Sequence, residues 1–170
     1  MRLAAAREAF RLTSNEGPQN FSRAPMLVAR SLALEPRCWR KVQVPEILVV
    51  DDSKVMREMV IACLRAREGF SFTQAASGLE AIERLSLQPF DAVVLDLNMP
   101  DIGGIEVLEF VRGQDHLRTL PILVVTSRGD DASRDRAMNA GASRFMTKPF
   151  VPEVIAAEVA SLLDAAGDLS

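Results

Sequence analysis

The chain has 170 residues, of which 48% are hydrophobic and 25% charged, with a formal net charge of −3. This composition is typical of one globular domain with a sizeable core, and no apolar run approaches the roughly 20 residues of a membrane-spanning helix. A single histidine excludes a multi-histidine metal site, and Cys38 and Cys63 are too far apart to indicate a zinc site or a disulfide framework. We therefore expect a cytoplasmic protein without membrane contact.

Residues 1–45 differ in charge and composition from the rest of the chain. They carry eight basic and three acidic side chains, a formal charge of +5, whereas the remainder carries twelve basic and twenty acidic side chains, or −8. Stretches such as SNEGPQN and LEPR would interrupt any helix in this segment. We predict that residues 1–45 form a poorly ordered basic extension and that residues 46–170 form the domain.

From Pro45 onward, short apolar runs alternate with amphipathic stretches. Strands are predicted at residues 47–50, 70–75, 92–95, 121–125 and 143–147. Helices are predicted at residues 53–67, 77–87, 104–113, 130–140 and 151–166. Near-continuous β-branched strands such as ILVV and AVVL are typical of a parallel sheet covered on both faces. The pattern predicts an α/β fold with a five-stranded, doubly wound parallel sheet.

Several residues refine the predicted helices. The expected N-caps are Ser53, Ser77 and either Asp130 or Asp131, and the expected helix stops are Gly69, Gly113 and Gly141. A stripe of apolar side chains at helical spacing is expected to face the core from the first helix, namely Met56, Met59, Val60 and Cys63.

Polar residues stand where the apolar strands end. Asp51 and Asp52 follow the first strand, Asp96 follows the third, and Thr126 and Lys148 close the fourth and fifth. Because ligands of open parallel sheets bind at the carboxyl ends of the strands, we expect these side chains to converge. Three gathered carboxylates suit a hard divalent cation such as Mg²⁺. The ammonium of Lys148 and the hydroxyl of Thr126 add the other groups that phosphoryl transfer to an aspartate requires. The product of such a transfer would be an acyl phosphate.

These residues lie in segments that carry a family resemblance. The segments ILVVDDS, DAVVLDLNMPDIGG, PILVVTS and AGASRFMTKPF together resemble the receiver domain of bacterial two-component response regulators. The resemblance covers residues 46 to about 166. It implies the flavodoxin-like (βα)5 receiver fold with strand order 2-1-3-4-5. It also implies Mg²⁺-dependent phosphorylation by a histidine kinase or a histidine phosphotransfer protein, with no catalysis beyond the chain's own phosphorylation and dephosphorylation.

The resemblance assigns the chemistry of the site to individual residues. Asp96 matches the phosphoacceptor, and Lys148 matches the lysine that binds the phosphoryl oxygens. Asp52 and Asp96 resemble direct Mg²⁺ ligands, and Asp51 resembles a ligand that acts through water. Asn98 resembles the residue that lends its backbone carbonyl to the metal.

Four further positions match structural and switching residues of the family. Thr126 resembles the switch hydroxyl, and Phe145 stands where an aromatic rotamer reports activation, although many relatives carry a tyrosine there. Pro149 matches the proline that follows the lysine through a cis peptide bond. Gly104 matches the turn glycine after the phosphoacceptor strand.

The expected output is a change in the face formed by the fourth helix, the fifth strand and the fifth helix, which would bind a protein target whose identity the sequence does not name. Because no output domain fits after Ser170, we expect a stand-alone, chemotaxis-regulator-like receiver that contacts no nucleic acid. The alternative function is that of an intermediate that passes phosphate between histidine proteins.

Two other classes of protein are compatible with the acidic residues. A phosphatase with an aspartyl-phosphate intermediate, like the haloacid dehalogenase-like enzymes, would need a DxD spacing after the first strand, where this chain has adjacent acids. A receiver fold kept as a non-phosphorylated scaffold would not need the complete acidic set.

Overall fold

A computed structural model describes residues 44–65, 69–127 and 129–167, in which five strands alternate with five α-helices. The strands are β1 (Glu46–Val50), β2 (Ser71–Ala75), β3 (Ala92–Leu95), β4 (Ile122–Thr126) and β5 (Arg144–Thr147). The helices are α1 (Lys54–Arg65), α2 (Gly78–Leu87), α3 (Gly104–Gly113), α4 (Asp131–Asn139) and α5 (Pro152–Gly167). The predicted basic extension falls outside the described residues, except for Val44 and Pro45.

The five strands form one parallel sheet with the order β2-β1-β3-β4-β5. The predicted α/β class and the expected strand order are both confirmed. In the register of the sheet, Leu95 pairs with Val50 on one side and with Val124 on the other, and Thr126 pairs with Thr147. The carboxyl ends of four strands therefore lie side by side.

Alternate residues of the central strands supply two separate hydrophobic cores. On one face, Leu48, Val93 and Val124 pack with buried residues of α2, α3 and α4. On the other face, Ile47 and Val94 pack with buried residues of α1 and α5. Because successive side chains of a strand point to opposite faces, a continuous apolar strand serves both cores.

The helix and strand boundaries agree with the predicted pattern to within one or two residues, apart from those that lie outside the described part. The sequence did not predict the 3₁₀ turn at Asp115–Leu117. Ser77 caps α2 by accepting a hydrogen bond from the backbone N–H of Glu80, and Asp130 caps α4 by accepting one from Ser133.

The predicted set of core-facing residues on α1 is wrong at one position. Val60 and Cys63 are buried as expected, but the side chain of Met59 is 43% exposed. The helix instead buries Ile61 and Leu64. Successive residues of a helix lie about 100° apart, so a helix centred on Val60 and Leu64 turns Met59 towards solvent.

Candidate functional site

Three carboxylates meet at the carboxyl edge of the sheet. Asp51 follows β1, Asp52 stands beside it, and Asp96 follows β3. One oxygen of each lies within 4.8 Å of the others. Asp51 and Asp96 are only 4% and 5% exposed, whereas Asp52 is open to solvent. The cluster is therefore buried on one side and accessible on the other.

Lys148 neutralises part of this charge. It follows β5, and its Nζ lies 2.6 Å from Oδ2 of Asp51 and 2.9 Å from Oδ2 of Asp96. Burial alone would lower the pKa of Lys148, but the hydrogen bonds and charges of the two carboxylates outweigh it and raise that pKa above 10.5. The ammonium is consequently charged at neutral pH. The Lys148–Pro149 peptide bond is cis.

Backbone groups orient the two buried carboxylates. The N–H of Ser53 donates to Oδ1 of Asp51 at 2.8 Å, and the N–H of Asn98 donates to Oδ1 of Asp96 at 3.2 Å. Each carboxylate therefore has one oxygen bonded to a loop N–H and the other to the Lys148 ammonium.

The side chain of Asn98 connects the cluster to β4. Its Nδ2 donates to Oγ1 of Thr126 at 2.8 Å and to Oγ of Ser127 at 3.2 Å. The Thr126 side chain is fully buried, and its backbone carbonyl accepts a hydrogen bond from the N–H of Lys148 at 2.8 Å. The sequence pointed only to the backbone of Asn98, because nothing in a local pattern indicates a contact between side chains 28 residues apart.

The loop after β3 approaches α3 closely. A Cβ atom added at Gly104 would overlap the carbonyl oxygen of Asp96 and come within 2.8 Å of the Cα of Leu97. The N–H of Gly104 donates to the carbonyl of Leu97 at 3.1 Å. Only glycine fits this close approach of backbone to backbone.

Phe145 lies within β5 and packs against the hydrophobic core. It pairs with Val124 in the sheet, is half-buried, and packs against the core on the α2, α3 and α4 face. The structure thus brings together Asp51, Asp52, Asp96 and Lys148 directly, and connects Asn98 and Thr126 to them.

The sequence analysis missed Arg57 of α1. Its guanidinium donates to the backbone carbonyls of Asp51 and Asp52 at 2.7 Å and 3.3 Å. An arginine six residues after the first acid carries no recognisable signal by itself, since exposed helix faces commonly contain arginine.

The donor set fits a hard divalent cation. Three carboxylates against the Lys148 ammonium leave a formal charge of −2, and all the donors are oxygens. The exposed side of Asp52 leaves the cluster open to water. Asp51, Asp52 and Asp96 would hold such an ion.

Comparison with known proteins identifies the family of the chain. The sequence profile of the response regulator receiver domain matches residues 47–160. The chain belongs to this family, and residues 47–160 form the receiver domain of a two-component response regulator.

Individual relatives show the same resemblance. Response regulator MprA of Mycobacterium tuberculosis is 38% identical over 117 residues, which is 69% of this chain and 50% of that protein. The chain spans about half the length of the curated relatives it matches.

Solved structures resemble the fold. A putative response regulator from Chloroflexus aurantiacus has a TM-score of 0.67 and 33% identity, with 71% of this chain and 98% of that chain covered. The chemotaxis response regulator CheY4 of Vibrio cholerae has a TM-score of 0.65 and 31% identity, with 70% of this chain and 98% of that chain covered. In the part of the chain that the structure describes, no helix is long and apolar enough to cross a bilayer.

Proposed function

We propose that the chain receives a phosphoryl group on Asp96 from a histidine kinase or a histidine phosphotransfer protein in the cytoplasm, in a Mg²⁺-dependent reaction. The observation that carries the proposal is the contact of Lys148 with both Asp51 and Asp96 inside the acidic cluster. A purely structural ion pair would need one carboxylate, whereas phosphoryl transfer needs an acceptor, a cation site and a fixed positive charge together.

The reaction follows from the groups at the site. A carboxylate oxygen of Asp96 attacks phosphorus as the bond between phosphorus and the donor nitrogen breaks, and the nitrogen keeps the electron pair of that bond. The product is an acyl phosphate on Asp96. A divalent cation, which Asp51, Asp52 and Asp96 would hold, would supply positive charge to the phosphoryl oxygens. Lys148 supplies a second positive charge, since its ammonium already lies 2.9 Å from Asp96.

The response to phosphorylation would pass through Thr126 and Asn98. A phosphoryl group on Asp96 offers new acceptor oxygens to the Thr126 hydroxyl, which now accepts a hydrogen bond from Asn98. A shift of Thr126 would alter the packing of Phe145 on β5, because β4 and β5 are paired there. The two arrangements form a two-state element whose populations phosphorylation changes.

The output surface would comprise α4, β5 and α5. Exposed apolar side chains stand on or next to these helices, at Met138, Val151 and Val154. Apolar exposure favours a protein partner over the phosphate backbone of a nucleic acid. That no nucleic acid is bound stays a prediction.

Labelling with acetyl phosphate and Mg²⁺ tests the phosphoacceptor. Intact mass should show one added phosphoryl group on the wild type and none on Asp96→Asn. The matched control is Asp101→Asn, an exposed aspartate of the same loop with φ +64°, a conformation that asparagine also adopts. A wild-type-sized mass gain in Asp96→Asn would reject the assignment.

A second assay separates the receiver from the other two classes. The receiver should form a stoichiometric adduct and release no product from phosphomonoesters such as p-nitrophenyl phosphate, since its only catalysis is of its own phosphorylation and dephosphorylation. Continuous product release would indicate the phosphatase, and neither adduct nor product release would indicate the scaffold.

A further inference from the structure

Arg57 holds the backbone of the acidic pair in place. One terminal nitrogen of its guanidinium donates to the carbonyl of Asp51 at 2.7 Å and to that of Asp52 at 3.3 Å. Its Nε donates to Oε1 of Gln74 on β2 at 3.0 Å. The half-buried side chain thus connects α1, the loop after β1 and the neighbouring strand.

The backbone carbonyls of Asp51 and Asp52 need a hydrogen-bond donor from a side chain. Strand β1 ends at Val50. After it, the N–H of Asp51 still donates a hydrogen bond to the carbonyl of Ala75 on β2 at 3.2 Å. Beyond it the chain turns into α1, and no strand among the described residues supplies an N–H to the carbonyls of Asp51 and Asp52. A guanidinium presents several donors in a rigid fork, so one terminal nitrogen can donate to both carbonyls while Nε donates to Gln74.

The direction of the Asp52 carboxylate depends on this backbone. Asp51 is also held through its side chain by Ser53 and Lys148, whereas the Asp52 carboxylate extends into solvent. Fixing the carbonyl of Asp52 limits the rotation of its peptide plane. This restraint of the backbone therefore limits the directions that the Asp52 carboxylate can take.

We propose that Arg57 is a positioning residue for divalent cation binding, which sets the acidic pair in a binding arrangement through the main chain. This inference rests on the proposed use of Mg²⁺ by the receiver. Groups that orient metal ligands without touching the ion commonly change metal affinity by about 10- to 100-fold when they are replaced.

Electrostatics and positioning predict opposite effects of removing Arg57. A positive charge near a cation site repels the ion, so its loss by itself would tighten Mg²⁺ binding. The loss of positioning would weaken Mg²⁺ binding instead. The sign of the change in Arg57→Gln therefore distinguishes the two contributions.

Mg²⁺ titration of the full chain, followed by amide NMR shifts, tests the proposal. We expect Arg57→Gln and Arg57→Lys each to weaken Mg²⁺ binding by about tenfold, because neither side chain reproduces the fork. Gln74→Ala removes only the anchor of Arg57 and should cause a smaller loss in the same direction. Since Gln74 is exposed, that variant keeps the test available if the Arg57 variants do not fold.

Arg112 offers a matched control on the opposite edge of the sheet. Its guanidinium donates to the backbone carbonyls of Gly141 and Leu120, which precede β5 and β4. Arg112→Lys should lower the thermal midpoint of unfolding but leave Mg²⁺ affinity unchanged. A purely structural role of Arg57 would give this same result.

Phosphorylation rates separate the failure of this inference from that of the proposed function. The Arg57 variants should need more Mg²⁺ for half-maximal labelling by acetyl phosphate and approach the wild-type rate at saturating Mg²⁺. Unchanged or tighter Mg²⁺ binding in both Arg57 variants, beside a wild type that binds and is labelled, would overturn the positioning role alone. A wild type that neither binds Mg²⁺ nor gains phosphate would overturn both.

Discussion

At the scale of single residues, Lys148 links the two carboxylates that the proposed chemistry needs most. Its contacts join positions 97 and 52 residues away along the chain. The raised pKa of Lys148 means that its ammonium contributes to stability throughout the range below pH 10.5 and that this contribution is lost as the pH rises through the folded-state value. The charge of Lys148 is therefore constant near neutral pH.

Replacing Lys148 by alanine should separate phosphorylation from signalling. Because the metal site is retained, Lys148→Ala should still gain phosphate from acetyl phosphate, roughly 100-fold more slowly than the wild type. It should lose the conformational response, since no ammonium then connects the phosphoryl oxygens to β5. Amide NMR spectra with and without beryllofluoride measure that response.

The control for this variant is Lys54→Ala, an exposed lysine whose Nζ lies 3.7 Å from Glu58. It should respond to beryllofluoride like the wild type. Amide shifts of wild-type size in Lys148→Ala would contradict the proposed connection.

At the scale of secondary structure, the start of α2 is held by reciprocal hydrogen bonds. The N–H of Glu80 donates to Oγ of Ser77 at 3.1 Å, and the carboxylate of Glu80 accepts from the N–H of Ala76 at 2.8 Å. The bond from Ala76, with help from Arg84, lowers the pKa of Glu80 below 4.5. The first residue of the helix, Gly78, lies close to the loop after β3. A Cβ atom at Gly78 would overlap the carbonyl oxygen of Ile102.

Glu80→Gln should destabilise the protein in a pH-dependent way. A carboxylate whose pKa is lower in the folded than in the unfolded state stabilises the fold at pH values above its unfolded-state pKa. This stabilisation is lost as the pH falls through the folded-state pKa. We expect the variant to lose about 0.5 kcal/mol of unfolding free energy at neutral pH, since the partly exposed carboxylate is screened by solvent.

Urea unfolding at neutral pH and well below the ordinary glutamate pKa of 4.5 measures this difference. The difference between Glu80→Gln and the wild type should shrink at the lower pH. Glu83→Gln, on an exposed position of the same helix, should change neither value. A loss that is equal at both pH values would show that the charge of Glu80 has no part in the cap.

At the scale of the whole molecule, the proposed site residues and the core residues that the structure describes all lie after position 46. We therefore expect deletion of residues 1–44 to leave folding and phosphorylation intact. Exposed ion pairs contribute at most about 1 kcal/mol each and weaken with salt, so losing the basic side chains of this segment should cost little stability.

Thermal unfolding at low and high salt, with acetyl phosphate labelling, checks the deletion. A longer deletion of residues 1–50 serves as the control, because it removes β1, which pairs with both β2 and β3, and should prevent folding. If the 1–44 deletion melts several degrees lower or takes up no phosphate, the predicted domain boundary is wrong.

The sequence by itself determined the class of fold and the composition of the site. Apolar runs such as ILVV and AVVL are β-branched and too short for helices, so they predict buried parallel strands. A parallel sheet places all its carboxyl ends on one edge, and Asp51, Asp96 and Lys148 could therefore be assigned to one site before any distance was known.

Only the tertiary structure decided which of these groups touch. Periodicity gives the spacing of the buried residues along a helix but not how the helix is rotated against the sheet, so Met59 was placed in the core although it is exposed. The hydrogen bond of Asn98 to Thr126 and those of Arg57 to the acidic pair join different elements of the fold. Such contacts depend on the packing of α1 and β4 against their neighbours, and no local pattern records that packing.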